Sequence, residues 1–452
     1  MINFFLRFKK HSVLVAEALL AYQTSDYAKA RKLAQIGLRR YAKDEMLLLI
    51  LGNTCFVEQD YFAAADCYQQ ILQLNPHNLE ASQNLGEALL RQKKYAETAA
   101  VIAQIDNENA ALLLRAKLDF EQENYLASES RFRQYLSRNQ NDFWSYNLLS
   151  QAAQKNGHYR LALSSAMRAV DLSNGQDSQH LNLAYALYEI ALEKGVDFVL
   201  PCLKKWCRKY ADSPIAQQSW HAFFPAENFA RSDADYVRLV FDNFADSFDE
   251  TLAGLGYAVP QKIAAEITAH WLSRLPNSPR ILDLGCGTGL CAEALRFVYS
   301  RAQIFGVDLS AQMLQKASAK KLYRQLECAD INQFLRGVKN KFDLIVAADV
   351  FTYFGALDEV LKLCCSSLKK NGVLIFSASQ NSDHQDSWQQ HLSGRFLHGR
   401  NYLEKVIKKA GFHAPIFANC ALRQEAGKDV CGWIISASKK IKKSSANDGT
   451  FF

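Results

Sequence analysis

Five tyrosines, Tyr27, Tyr61, Tyr95, Tyr125 and Tyr159, recur at intervals of 34, 34, 30 and 34 residues and restrict the first half of the chain to a repeat array. Each closes the same kind of phrase: TSDYAKA, EQDYFAA, QKKYAET, QENYLAS and NGHYRLA read as a polar turn followed by an aromatic that opens a helix. A small residue stands nine positions before each tyrosine, as Ala18, Gly52, Gly86, Ala116 and Ser150. Another stands three positions after it, as Ala30, Ala64, Thr98, Ser128 and Ala162. Small side chains at these points let paired helices approach closely, while the tyrosine fills the next groove. A unit of this length cannot bury its own apolar face, so successive copies must stack.

Asn75-Pro76 ends the second helix at the phase expected of one repeat. The five phrases resemble the tetratricopeptide repeat, a helix-turn-helix unit that stacks into a right-handed superhelix. Most units lack that family's closing proline, and the third is poor in alanine. A sixth helix pair over 180–210, with Gly195 in its turn and Pro214 beyond it, is expected to cap the array. The resemblance implies a concave groove that holds a protein or peptide partner; a spacer or dimerisation surface is the structural alternative.

Beyond Pro214 the repeat phase is lost, and the aromatic, acidic stretch YVRLVFDNFADSFDETLAGLGYAVP leads into a different pattern. The apolar runs PRILDLG, AQIFGVDLS, KFDLIVAADV and GVLIFSAS are separated by helical stretches, which predicts a parallel sheet with crossover helices. Ligands on such sheets sit at the carboxyl ends of the strands. The loop after the first strand is GCGTG, Gly285 to Gly289, not the G-x-G-x-x-G of dinucleotide binders. Asp283 ends the strand before that turn, where it would repel a pyrophosphate but can take the ammonium of an amino-acid ligand, directly or through water. Gly285, Gly287 and Gly289 allow the ligand close to the backbone. Asp308, in IFGVDLS, can accept from both ribose hydroxyls. Asp330, in ECADI, either accepts from an adenine amine or caps the helix INQFLRGV. Leu309 and Ile331 follow these acids and could sandwich a purine.

Taken in order, ILDLGCGTG, GVDLS, ECADI, FDLIVAADVFTYFG and LKKNGVLIFSAS resemble the class I S-adenosylmethionine-dependent methyltransferases over about residues 231–438. The resemblance implies S-adenosylmethionine as cofactor and a seven-stranded sheet whose last strand is antiparallel, a place that VCGWIISASK suits. With the repeats, the segments FDNFADSFDETLAGLGY and GRFLHGRNYLEKVIKKAGF are similar to the predicted bacterial methyltransferases that carry tetratricopeptide repeats at their N-termini. The expected fold is therefore multidomain, α plus α/β: an α-solenoid over 1–215, a linker with the first catalytic-domain helices over 216–257, a Rossmann-like methyltransferase domain over 258–438 and a basic, disordered tail over 439–452.

Methyl transfer from a sulfonium needs alignment and an unprotonated nucleophile, so no fixed catalytic triad is expected. Asp349, in AADVFTY, stands in the loop that faces the methyl group in this fold, as base, as substrate anchor or as a backbone acceptor. The long segment QNSDHQDSWQQHLSGRFLHGRNY reads as a lid or recognition insertion. It supplies Arg395 as a substrate contact and His398 as a base, or as a surface histidine. Tyr257, which either closes the cofactor pocket from the other side or simply packs, and Tyr353 are further substrate-binding candidates. Cys286 in the glycine turn reads as a space-filler, and Cys364 and Cys365 as core.

The 11 cysteines lack any C-x-x-C pair, so no metal site is expected and reduced thiols in a cytoplasmic protein are. No apolar run is long enough for a membrane span. The order of apolar and basic residues in MINFFLRFKK does not fit a secretory signal, and a frayed first helix is expected there. The net charge of +7 is concentrated partly in Lys439, Lys440, Lys442 and Lys443, without the interleaved aromatics of a nucleic-acid binder, and no nucleic-acid partner is expected. The leading expectation is a methyltransferase acting on a protein or carrier-bound substrate recruited by the repeats. A repeat scaffold with a catalytically silent cofactor-binding domain and a small-molecule methyltransferase are the alternatives; an NAD dehydrogenase is disfavoured by Asp283 and the glycine spacing.

Overall fold

The computed structural model describes residues 10–225, 229–425 and 428–440. It divides into two compact units, 1–174 and 175–452. The expected tail from 441 onward and the expected first helix over 1–9 lie outside the described residues.

The first unit is a row of helical hairpins. The second helix of each begins on the phased tyrosine: Tyr27–Leu38, Tyr61–Leu74, Tyr95–Ala103, Tyr125–Arg138 and Tyr159–Leu172. The preceding turn reverses through one left-handed residue two positions earlier, Ser25, Gln59, Lys93, Glu123 or Gly157. Asp26 and Asp60 then accept the amides of Lys29 and Ala63, capping two of the helices. The small residues sit where the helices touch: Ala18, Ala30, Ala64, Thr98, Ala116, Ser128 and Ala162 have no exposed surface. A Cβ on Gly52 would meet the Tyr68 ring at 2.7 Å. In the fourth and fifth hairpins the serine hydroxyls also bridge the paired helices, Ser128 donating to the Ala116 carbonyl at 2.9 Å and Ser150 to that of Ala162 at 2.8 Å.

The expected sixth pair is present as Asp177–Lys194 and Val196–Lys209, turning at Gly195 with φ +85°, and Ser213 caps the next helix, Pro214–Phe223. These helices belong to the second unit, so the compact boundary falls after Asn174, not at 215. The reason is side-chain chemistry that the repeat pattern does not contain. Gln218, 2% exposed, donates to the Ser232 hydroxyl at 3.1 Å and to the Gly394 carbonyl at 3.0 Å, and the Tyr188 ring meets His391 edge-on.

The second unit is built on a seven-stranded sheet: β1 Arg280–Leu284, β2 Gln303–Asp308, β3 Gln325–Cys328, β4 Phe342–Ala347, β5 Leu368–Ser379, β8 Ile416–Glu425 and β9 Lys428–Ser438, in the order β3-β2-β1-β4-β5-β9-β8. β6 Trp388–Gln390 and β7 Phe396–His398 form a separate hairpin. β1 to β5 are parallel, and β9 runs antiparallel between β5 and β8, the place expected for VCGWIISASK. The central strands are apolar on both faces because helices cover both. Leu282, Leu284, Ile345 and Phe376 pack into one layer; Ile281, Ile304, Leu344 and Ile375 pack into the other. Cys364 lies within the first layer with no exposed surface, as expected. Lys439 is no part of a loose tail: its backbone amide donates to the Gly372 carbonyl and its ammonium to that of Leu368. Among the described residues, no helix is long and apolar enough to cross a membrane.

Candidate active site

Where β1 ends, the chain must turn under the start of helix Leu290–Val298, and it does so through three left-handed glycines, Gly285 (φ +60°), Gly287 (φ +51°) and Gly289 (φ +95°). Only glycine adopts this without strain. A Cβ on Gly285 would meet Val350 at 2.5 Å, and one on Gly287 would face the Phe248 ring at 3.7 Å. The turn is therefore a shallow cradle whose open side faces a cavity of about 620 Å³, lined by Gly285, Gly287, Asp308, Leu309 and Ile331 at this end.

Asp308 closes β2 beside the cradle. Its Oδ2 accepts the Gly287 amide at 2.8 Å and its Oδ1 the Ser310 amide at 2.9 Å. Burial raises its pKa, and these backbone donors pull the other way. Asp283 lies beneath the turn with no exposed surface. One carboxylate oxygen accepts the Tyr323 hydroxyl at 2.7 Å; the other is buried without a hydrogen-bond partner among the described residues. Burial pushes this carboxyl up to about 7, against the pull of the Tyr323 hydroxyl. Asp330 is the N-cap of helix Ile331–Arg336, accepting from Gln333, and its second oxygen pairs with Arg231. Arg231 also lies over the Phe354 ring, 4.3 Å from its centre. Cys286 is buried under the turn against Gly306, a filler as expected.

The stretch before the sheet forms two short helices, Ala234–Phe244 and Phe248–Gly254, which close the cavity over the cradle. Phe241, Phe244 and Phe248 point into it, and Tyr353 meets Phe241 edge-on. Polar contacts fasten this segment to the β1 and β2 loops. Thr288 donates to Asp249, Ser310 donates to Asp242 at 2.5 Å, and Lys320 pairs with Asp249 at 3.0 Å.

At the other end of the cavity stand Tyr185, Tyr188 and Gln218 from the helices before 225, the tip of the β6–β7 hairpin, and a ring of charges. Arg423, 5% exposed, donates to Asp349 at 2.8 Å and through Nε to Glu425 at 2.7 Å; Arg395 also pairs with Glu425. Burial lowers the pKa of Arg423, and Asp349 offsets it. Asp349 itself has a left-handed backbone (φ +59°) fixed by its amide donating to the Ser377 hydroxyl at 2.8 Å. Arg423 and Glu425 are not evident in the sequence pattern, because they depend on a bulge in β8 between Ala421 and Arg423. The bulge turns Leu422 into the core and Arg423 toward the cavity.

The candidates for chemistry separate accordingly. Tyr257, Tyr353, Arg395 and Asp349 line the cavity. His398 does not, and the structure contradicts it as a base. It has no exposed surface, its Nε2 donates to the carbonyls of Phe354 and Gly355 at 2.8 and 3.2 Å, and burial drops its pKa to about 4. It is a neutral core residue that ties the β6–β7 hairpin to the loop after β4. Asp349 as a free base is disfavoured in the same way, since its carboxylate is held by Arg423.

Residues 277–425 match the family model described as Methyltransferase domain. Over 150 residues the chain is 31% identical to a malonyl-acyl-carrier protein O-methyltransferase of Priestia megaterium, covering 32% of this chain and 52% of that protein. The corresponding protein of Legionella pneumophila is 36% identical over 123 residues, 26% of this chain and 43% of that one. Human methyltransferase-like protein 27 is 38% identical over 93 residues, 21% of this chain and 37% of that protein. The chain thus spans about half, or less, of the length of these relatives. The residues that build the glycine cradle and all but one strand of the sheet beneath it thus match a methyltransferase domain and are similar in sequence to known methyltransferases.

Proposed function

We propose that the chain is an S-adenosylmethionine-dependent methyltransferase whose acceptor is a protein or a carrier-bound group brought to it by the helical repeats. The observation that carries this reading is the cradle: of its three left-handed glycines, Gly285 and Gly287 line a cavity beside Asp308, above a buried Asp283 with one oxygen unpaired among the described residues. The bound cofactor supplies a methyl group already activated on a sulfonium. Gly285 and Gly287 let its amino-acid end lie on the backbone, and the unpaired Asp283 oxygen is suited to its ammonium. A cation there would favour the ionised carboxylate. Asp308 presents its carboxylate to the ribose hydroxyls while Gly287 and Ser310 hold it in place. Leu309 and Ile331 offer apolar faces to the purine, with Asp330 at the edge as an acceptor if Arg231 yields one of its oxygens. Phe241, Phe244 and Phe248 exclude water from the reacting centre.

The repeats, similar in phase and small-residue pattern to tetratricopeptide repeats, supply the recruiting surface. Within the first unit a groove of about 530 Å³ is lined by Leu90, Leu113, Phe120 and Leu148, with Glu87, Lys117 and a half-exposed Trp144 at its sides. Apolar anchors between charged residues suit an extended or helical peptide. A carrier-bound acceptor is favoured by the relatives, two of which are O-methyltransferases of an acyl-carrier protein by name. Label transfer tests the reading: the full chain, incubated with methyl-labelled cofactor and a lysate, should label macromolecules, and a chain lacking residues 1–174 should label them at least about tenfold less. Equal labelling by the two would remove the repeats from substrate recruitment.

A further inference from the structure

We propose, resting on the methyltransferase reading above, that Tyr323 is a positioning residue of the cofactor site: it holds one oxygen of Asp283 and leaves the other for the ligand's ammonium, and binding releases a proton from Asp283. Affinity for the ligand then rises with pH through the neutral range. The geometry depends on two glycines. Tyr323 stands just before β3 and reaches across β2 to Asp283 on β1, and the β2 residue in register with Asp283 is Gly306. A Cβ on Gly306 would meet the Tyr323 ring at 2.9 Å, and one on Gly289 would meet it at 3.2 Å. The ring therefore packs on the bare backbones of β2 and of the glycine turn. From there its hydroxyl donates to one Asp283 oxygen at 2.7 Å, and the other oxygen is buried without a hydrogen-bond partner among the described residues. A donor fixed in this way also fixes the rotation of the carboxyl, so the remaining acceptor is held ready.

The neighbours of Asp283 decide the fate of its proton. Cys286 faces it from the glycine turn, Cys291 from helix Leu290–Val298, Tyr257 from the segment before helix Val259–Glu266, and Asp308 from β2. Toward β4 it is in register with Val346. Burial raises both thiols and both tyrosines, so at neutral pH they carry no charge. None of these groups is a cation, and Asp308 is a second acid. Lys320, three residues before Tyr323, is taken by Asp249 and Glu293. A carboxylate with no exposed surface, no cation beside it and one unpaired oxygen is costly, and burial pushes Asp283 up to about 7. An arriving ammonium reverses that balance. The carboxyl O–H bond breaks, the proton leaves to solvent, and the carboxylate accepts from the ammonium directly or through water. Below pH 7 the free protein must lose that proton to bind, so affinity falls as pH falls. Above about pH 8 the ligand's own α-ammonium loses its proton, and the gain ends.

The test is calorimetric titration of the full chain with S-adenosylhomocysteine, which keeps the ammonium and has no methyl group to give, between about pH 5.5 and 7.5 in two buffers of different ionisation enthalpy. Wild type is expected to bind about tenfold more weakly at the acid end and to release close to one proton at about pH 6. Asp283→Asn should show neither the release nor the pH dependence. Tyr323→Phe should move the midpoint of the dependence to higher pH, because burial then acts on Asp283 without the opposing pull of the hydroxyl. Loss of a tyrosine that merely packs would weaken binding equally at every pH. A wild type that releases no proton, a release that persists in Asp283→Asn, or a midpoint unmoved in folded Tyr323→Phe would overturn the inference. S-adenosylhomocysteine that fails to bind wild type at any pH would instead overturn the methyltransferase reading on which it rests.

Discussion

The amide of Gly287 donates to Oδ2 of Asp308 at 2.8 Å, so the middle of the glycine turn is fastened to the end of the neighbouring strand. The cradle and Asp308, the acid proposed to face the nucleoside, are thus tied together beside the parallel pairing of β1 with β2. Shortening that acid frees the turn as well as removing the proposed ligand contact. Asp308→Ala is expected to destabilise the second unit by about 1–3 kcal/mol, the cost of a buried donor left unpaired. Asp308→Asn should recover part of this. Chemical denaturation of the two variants checks it.

The repeat unit has its own test in Gly52. An alanine there would place a methyl 2.7 Å from the Tyr68 ring and 3.1 Å from Cβ of Cys67. The ring has little room to move, since it is buried and its hydroxyl donates to Asn53 at 2.8 Å. Gly52→Ala should therefore cost about 1–3 kcal/mol through overpacking, despite alanine's better helix propensity. Thermal unfolding of residues 1–174 measures this.

Two buried histidines set the acid limit of stability. Burial drops both His180 and His398 to about 4 from an ordinary 6.5. Above pH 6.5 both folded and unfolded chains hold them neutral, and neither contributes a pH dependence. As pH falls from 6.5 to 4 the unfolded chain takes up protons that the folded chain refuses, so stability falls, by at most about 3 kcal/mol per histidine. Below 4 the loss levels off. Unfolding free energies measured between pH 7 and 4 should show this slope, and His398→Gln should reduce it. The same variant should leave any pH profile of turnover without a changed inflection near 6.5, since His398 is not at the cavity.

The charge ring predicts an asymmetry between its members. Removing Arg423 by Arg423→Met leaves Asp349 and Glu425 without their shared partner and should cost about 3–5 kcal/mol. Arg423 and Asp349 removed together, as Arg423→Met with Asp349→Asn, should cost clearly less than the sum of the single changes. A double-mutant cycle by denaturation gives the coupling.

How far the sequence reveals this site depends on whether a residue's role follows from local pattern. The phased tyrosines fix where second helices begin, because the turn before each of them is local. The glycines after Leu284 and the acids ending β2 and preceding helix Ile331–Arg336 are legible for the same reason. His398 misled because its chemistry as a free imidazole is visible in sequence, while the two carbonyls that bury it, from Phe354 and Gly355, are more than forty residues away. Arg423 and Glu425 are not legible in the sequence because a bulge decides which way a strand residue faces, and no residue type announces one. The helix pair over 180–210 reads as a cap for the repeats because its helical period continues theirs. Gln218 and Tyr188, which join them to the hairpin instead, look like ordinary surface positions until the contacts are seen.

The central claim is that the glycine cradle and Asp308 bind S-adenosylmethionine. Calorimetric titration of the full chain with that cofactor measures it most directly. The expected result is saturable one-to-one binding by the wild type, weakened at least about tenfold in Asp308→Ala with the second unit still folded. Absence of binding by the folded wild type, or affinity unchanged by Asp308→Ala, would contradict it.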